Sequence, residues 1–146
     1  MTHTPGLRVS FVALLLAVLL GACASAGTNM GAPTTAPFPN AVPGPDVSVA
    51  VAAELHAEGA LVLDVREPDE YATGHVAGAT LIPLGQLAAR LGEVPRDRAV
   101  VVVCRTGHRS AQGRDILLSA GFGHVTSMAG GMTDWIAAGM PVVTGN

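Results

Sequence analysis

Lysine is absent from the 146 residues, and all eight basic side chains are arginine. Charged residues make up only 13% of the chain and aromatic ones 3%. Eleven carboxylates outnumber the eight arginines, for a formal net charge of −3. A mildly acidic chain without a basic tract lacks the electrostatic footprint of a nucleic-acid binder. Two cysteines, Cys23 and Cys104, are too few for a disulfide scaffold or a four-cysteine zinc site. Five histidines are scattered, and neither H-E-x-x-H nor C-x-x-C spacing occurs, so no metal site is expected. No apolar run reaches the roughly 20 residues of a membrane-spanning helix. What is abundant is apolar: 49% of the chain, too much for a disordered protein. The length is that of one domain with a tail.

The start of the chain reads as an address. Arg8 is the one fixed side-chain cation of the first eight residues, and residues 11–20 are an unbroken apolar run of ten. That length suits a signal-peptide core of about 7–15 residues. The sequence L-G-A-C follows, ending at Cys23. It resembles the lipobox of bacterial lipoproteins, in which such a cysteine carries diacylglycerol and becomes the new amino terminus. Several acyl chains anchor stably where one is marginal. The alternative is an ordinary signal cut at the small residues around Cys23. The expected division is a lipoprotein signal over residues 1–22 and a lipidated, Pro/Gly-rich tether over residues 23–46. The tether holds five prolines between Pro33 and Pro45 and almost no charge. The mature protein is then expected outside the cytoplasm, anchored to a bacterial membrane, and the long tether argues for a monomer.

Residues 47–146 form the expected folded domain, enough for one modest core. Val51 and Leu55 mark a short helix stopped by Gly59. Residues 61–65, L-V-L-D-V, are a compact apolar strand, and Pro68 sits where a helical turn begins. Leu84, Leu87, Ala88 and Leu91 repeat at the spacing of one helix face. Residues 99–103, A-V-V-V-V, read as a strand buried on both faces. Gly113, Ile116, Leu117 and Ala120 restore the helical spacing until Gly121. A third strand is expected over residues 124–127 and a last helix over residues 132–138, closed by Gly139. Alternating strands and helices predict an open parallel α/β sheet, with its site at the carboxyl ends of the strands.

The second apolar strand runs directly into C-R-T-G-H-R-S, residues 104–110, and then a helix. Successive amides in such a loop can converge into an anion nest, and a helix amino terminus adds unpaired donors. Arg105 and Arg109 add permanent cations. A thiol placed there ionises more readily, and the thiolate is the nucleophile. The bland alternative is a buried, inert Cys104. Against it, Cys104 has no intrachain disulfide partner if Cys23 is lipidated, and an unused lone thiol is a liability in an oxidising compartment.

Taken with D-V-R-E at residues 64–67, G-H-V-A-G-A at residues 74–79, I-P at residues 82–83 and G-G-M-T-D-W at residues 130–135, the loop resembles that of single-domain rhodaneses. The resemblance covers essentially all of residues 47–146. It implies a rhodanese-like open five-stranded parallel sheet with helices on both faces. It also implies a sulfurtransferase that works through a persulfide on Cys104, with no metal or organic cofactor. Arg105, Thr106, Gly107, His108 and Arg109 match the loop around the sulfur. Asp64 and Arg66 match the family's acidic and basic pair, Asp64 as scaffold and Arg66 as a secondary anion contact. His75 and Gly78 match a loop-shaping motif. A proton-transfer role for His108 stays open, and Trp135 reads as core. Related phosphatases and arsenate reductases have five residues between the cysteine and the arginine. Here four separate Cys104 from Arg109, a cradle sized for sulfur rather than a phosphoryl group.

The expected partners are a small anionic sulfur donor such as thiosulfate and a thiol or cyanide acceptor. Two rival readings keep Cys104 but not rapid turnover: a persulfide carrier serving a dedicated extracytoplasmic partner, and a thiol redox sensor.

Overall fold

The structure is a computed structural model that describes residues 42–145. The signal, the lipobox with Cys23 and most of the tether lie outside the described residues. Five parallel strands form one sheet in the order β1-β5-β4-β2-β3. They are β1 (Asp46–Val47), β2 (Leu61–Asp64), β3 (Thr80–Leu81), β4 (Val100–Val103) and β5 (Val125–Met128). The helices are α1 (Val49–Ala57), α2 (Pro68–Thr73), α3 (Leu84–Leu87), α4 (His108–Ser119) and α5 (Gly131–Ala137).

The strand alternation explains the layers. Val101 and Val103 of β4 join Leu55, Met132 and Trp135 in one buried cluster, under α1 and α5. Val100 and Val102 join Leu87 and Leu117 in the other, under α3 and α4. Side chains two apart share a face of a strand. Cys104 therefore continues the Val100–Val102 row onto the side that α4 covers. Gly113 of α4 lets that helix lie close to the sheet, because a Cβ there would sit 3.0 Å from a Val102 methyl.

Two strands, β1 and β3, have only two residues each, too short to show a period in the sequence. The spacing at Leu84–Leu91 predicts one helix, but α3 ends at Leu87 and a 3₁₀ turn follows at Leu91–Glu93. Between them the Ala89 and Arg90 amides bond three residues back, to Gln86 and Leu87, which tightens the coil. Pairing also begins ahead of Val47. The Gly44 carbonyl accepts from Thr126 Oγ1 at 2.9 Å, and the Pro45 carbonyl from the Ser127 amide at 2.9 Å. Residues 44–46 are thus part of the sheet edge, although their composition matches the tether.

Candidate functional site

The strand order changes direction between β2 and β4, and the carboxyl ends of those two strands carry Asp64 and Cys104. Cys104 ends the apolar run of β4, and the chain then turns sharply through Gly107, at φ +97°, into α4. A non-glycine residue rarely adopts that backbone, and a Cβ there would also crowd the Gly130 amide at 3.1 Å.

The turn encloses the sulfur. The Gly107 amide donates to Cys104 Sγ at 3.2 Å, and Ser110 Oγ lies 3.7 Å from it. Ser110, fully buried, donates its hydroxyl proton to the Gly107 carbonyl at 2.8 Å. Cys104 itself is only 1% exposed. Burial is the largest single influence on its ionisation and opposes it. The Ser110 amide and hydroxyl and the Thr106 and Gly107 amides together outweigh burial, so the thiol is held below its ordinary value. The cysteine is buried in the apolar cluster under α3 and α4, as the bland reading supposes, but its sulfur also meets donors.

The Cys104 and Arg105 carbonyls are held away from the sulfur by α5, which leaves the loop amides facing inward. The Cys104 carbonyl accepts from the Met132 amide at 2.8 Å. The Arg105 carbonyl accepts from the Thr133 amide and Thr133 Oγ1, both at 3.0 Å. These are first-turn donors of α5, which an isolated helix leaves unpaired. Gly131, at φ +57°, makes the approach possible, since its Cβ would collide with the Cys104 and Arg105 carbonyls. Gly130 and Gly131 are visible in the G-G-M-T-D-W motif, but their part in shaping the sulfur loop is not readable there.

The expected cations behave differently from one another. Arg109 forms a two-pronged pair with Glu70 of α2, at 2.7 and 2.8 Å. Its hydrogen bonds hold Glu70 down to about 2 against the opposing effect of burial, with help from the Glu67 amide. Glu70 in turn is the main reason the Arg109 guanidinium is held more firmly protonated, and the Cys104 thiolate contributes less. Arg66 is buried and grips Asp64 through Nε and Nη2, the shortest contact being 2.6 Å. It also donates to the Glu70 and Gly74 carbonyls. Arg66, expected as a second anion contact, thus has most of its donors in use as a strut between β2 and α2. Asp64 has the expected scaffold position. Arg105 and Thr106 are exposed, and among the described residues the Arg105 guanidinium makes no ion pair. His108 is exposed and its Nδ1 lies 3.2 Å from Gln112 Nε2, not against the sulfur. His75 stacks on Tyr71 at 3.6 Å and its Nδ1 meets the Tyr71 carbonyl, a packing role. Trp135 is in the core, donating to the Pro141 carbonyl.

A cleft of about 370 Å³ borders the loop, lined among others by Arg105, Asp69, Glu70, Met132, Thr133 and Ile136. Among the described residues no group of three or more His, Cys, Asp or Glu side chains could hold a metal ion.

The Rhodanese-like domain family matches residues 48–138. The chain belongs to that family. The rhodanese-like domain is 38% identical over 86 residues to a sulfurtransferase of Allochromatium vinosum, covering 59% of this chain and 80% of the relative. It is 37% identical over 89 residues to the thiosulfate sulfurtransferase GlpE of Pseudomonas entomophila, covering 61% and 82%. Among solved structures, the rhodanese-related protein of Thermoplasma volcanium superposes with a TM-score of 0.65 at 32% identity, covering 70% of this chain and all of that one. The five-stranded parallel sheet is thus the rhodanese-like one, and the domain has a sulfurtransferase or sulfur-carrier role at the level of its family.

Proposed function

We propose that the domain transfers sulfane sulfur through a persulfide on Cys104, with thiosulfate as a donor. The carrying observation is the ionisable sulfur under inward amides, with the Gly107 amide at 3.2 Å. The Cys104 thiolate attacks the outer sulfur of the donor. The new S–S bond forms at Sγ, the donor's S–S bond breaks, and sulfite leaves with the electron pair. The cradle then holds the persulfide anion, and its backbone amides need no rearrangement as charge moves from Sγ to the outer sulfur. Ser110 Oγ, within reach of both the sulfur and the Gly107 carbonyl, turns its proton to whichever carries more charge. Cyanide or a thiolate then takes the outer sulfur, and Cys104 returns as thiolate. A ringed, buried sulfur admits the slim end of a donor, which supports a terminal sulfur over a bulkier electrophile. Arg105, exposed beside it, meets the donor's anionic group.

The full-length protein mixed with thiosulfate should gain about 32 Da, one sulfur atom, by mass spectrometry. Cys104→Ser should lose that gain entirely. Turnover persisting in Cys104→Ser removes the mechanism. Stable loading with little turnover by small acceptors favours the carrier reading, and fast reaction with peroxide but none with thiosulfate favours the redox sensor.

The address is a second part of the proposal. The apolar run before Cys23 supports a lipid anchor outside the cytoplasm, and the long tether supports a monomer. Fatty-acid labelling in cells should disappear in Cys23→Ala. Unchanged labelling there refutes the anchor.

A further inference from the structure

The cleft beside the sulfur loop is not the cationic funnel that three nearby arginines suggest. Arg66 is paired with Asp64, and Arg109 with Glu70, so those four charges cancel in place. Two charged groups on the cleft have no ion pair among the described residues: Arg105, on the loop, and Asp69, in the first turn of α2. They have opposite signs. The rest of the lining includes Thr73 and Thr133 and, from α5, Met132 and Ile136, the last of them 57% exposed. The volume of about 370 Å³ is that of a small-molecule site.

We propose that this cleft is the acceptor subsite and that its ligand is a small zwitterionic thiol, an α-amino-acid thiol or a short peptide of one. The inference rests on the persulfide reading and names the second substrate of the same site. Arg105 receives the carboxylate, Asp69 the ammonium, and Met132 and Ile136 the carbon chain. A purely anionic thiol leaves Asp69 facing it as a like charge, and a purely cationic one leaves Arg105 so. A zwitterion satisfies both. The acceptor thiolate attacks the outer sulfur, the persulfide S–S bond breaks, and Cys104 leaves as thiolate with the electron pair. The acceptor departs as its own persulfide, with no oxidant or reductant consumed. Donor and acceptor use Arg105 in turn, since sulfite leaves before the acceptor enters.

The test uses full-length protein loaded with thiosulfate. Loss of the added sulfur is timed with cysteine, with mercaptopropionate, which lacks the ammonium, and with cysteamine, which lacks the carboxylate. Rates are compared per thiolate present. Cysteine should discharge the protein about tenfold faster than either. Asp69→Asn should pull the cysteine-to-mercaptopropionate ratio towards one. Equal rates for the three thiols, or a ratio unmoved by Asp69→Asn, overturn the proposal. A binding titration with S-methylcysteine, which cannot accept sulfur, separates this idea from the persulfide reading. Binding weakened by Asp69→Asn supports the subsite even if loading fails, and absence of binding overturns it even if loading succeeds.

Discussion

Two regions meet at Cys104, and they stabilise it by different means. The inner one is the loop from Cys104 to Ser110, braced from behind by the first turn of α5. The outer one is the rim of arginines and carboxylates on α2 and the loop. In the inner region the donors are amides fixed by backbone conformation, and the Cys104 and Arg105 carbonyls are bonded to α5. In the outer region Arg66 and Arg109 are each held by a carboxylate, and Arg109 faces Glu70 before it faces the sulfur. Oriented dipoles at contact distance thus outweigh full charges that already have partners. Losses should be steep in the inner region and shallow at the rim.

The sharpest break is at the brace. Gly131→Ala forces a methyl into the Cys104 and Arg105 carbonyls at a positive φ. It should cost about 3 kcal/mol of stability by denaturant titration, and sulfur loading should fall about a hundredfold in whatever folds. Near-normal loading would mean that the amides keep their aim without α5.

Next comes the cradle itself. Ser110→Ala removes a donor that favours the thiolate while leaving the burial of the sulfur in place. The pH midpoint of loading should move upward, and the rate at neutral pH should fall roughly tenfold, the loss expected for a hydrogen bond to a charged group. In the unaltered protein the rate should already level off below pH 9.0, the ordinary thiol value, because the folded site depresses it. An unmoved midpoint in the variant would return the thiolate's stabilisation to the rim.

The rim should respond least. Glu70 ionises at about 2 in the folded protein against 4.5 ordinarily. A depressed carboxyl contributes stability that is fully present above pH 4.5 and fades as the pH falls towards 2. Glu70→Gln should therefore cost about 1 kcal/mol at neutral pH, since both partners are part exposed. It should also flatten the acid limb of the stability curve. Loading should change by less than about threefold. A larger loss would show that the Arg109–Glu70 pair steers the donor.

The α/β class, the three longer strands, the sulfur loop and the place of Cys104 at a strand end were legible in residue order. Strong apolar runs and a glycine turn are local signals, and β2, β4 and α4 carry them. The short strands β1 and β3 were not, because two residues cannot display a period. Nor was the early start of the fold, because Gly44 and Pro45 contribute carbonyls and carbonyls have no sequence signature.

Chain order alone determined which side chains could do the chemistry: one thiol, its glycine turn and its arginines lie within seven consecutive residues. Which of them act on the sulfur was decided by folding. Met132 and Thr133 reach the loop carbonyls from nearly thirty residues away, and Glu70 reaches Arg109 across thirty-nine. Pairing at such separations depends on how α2 and α5 seat around β4, and it sets Arg105 apart from Arg109, two arginines that the sequence presents alike.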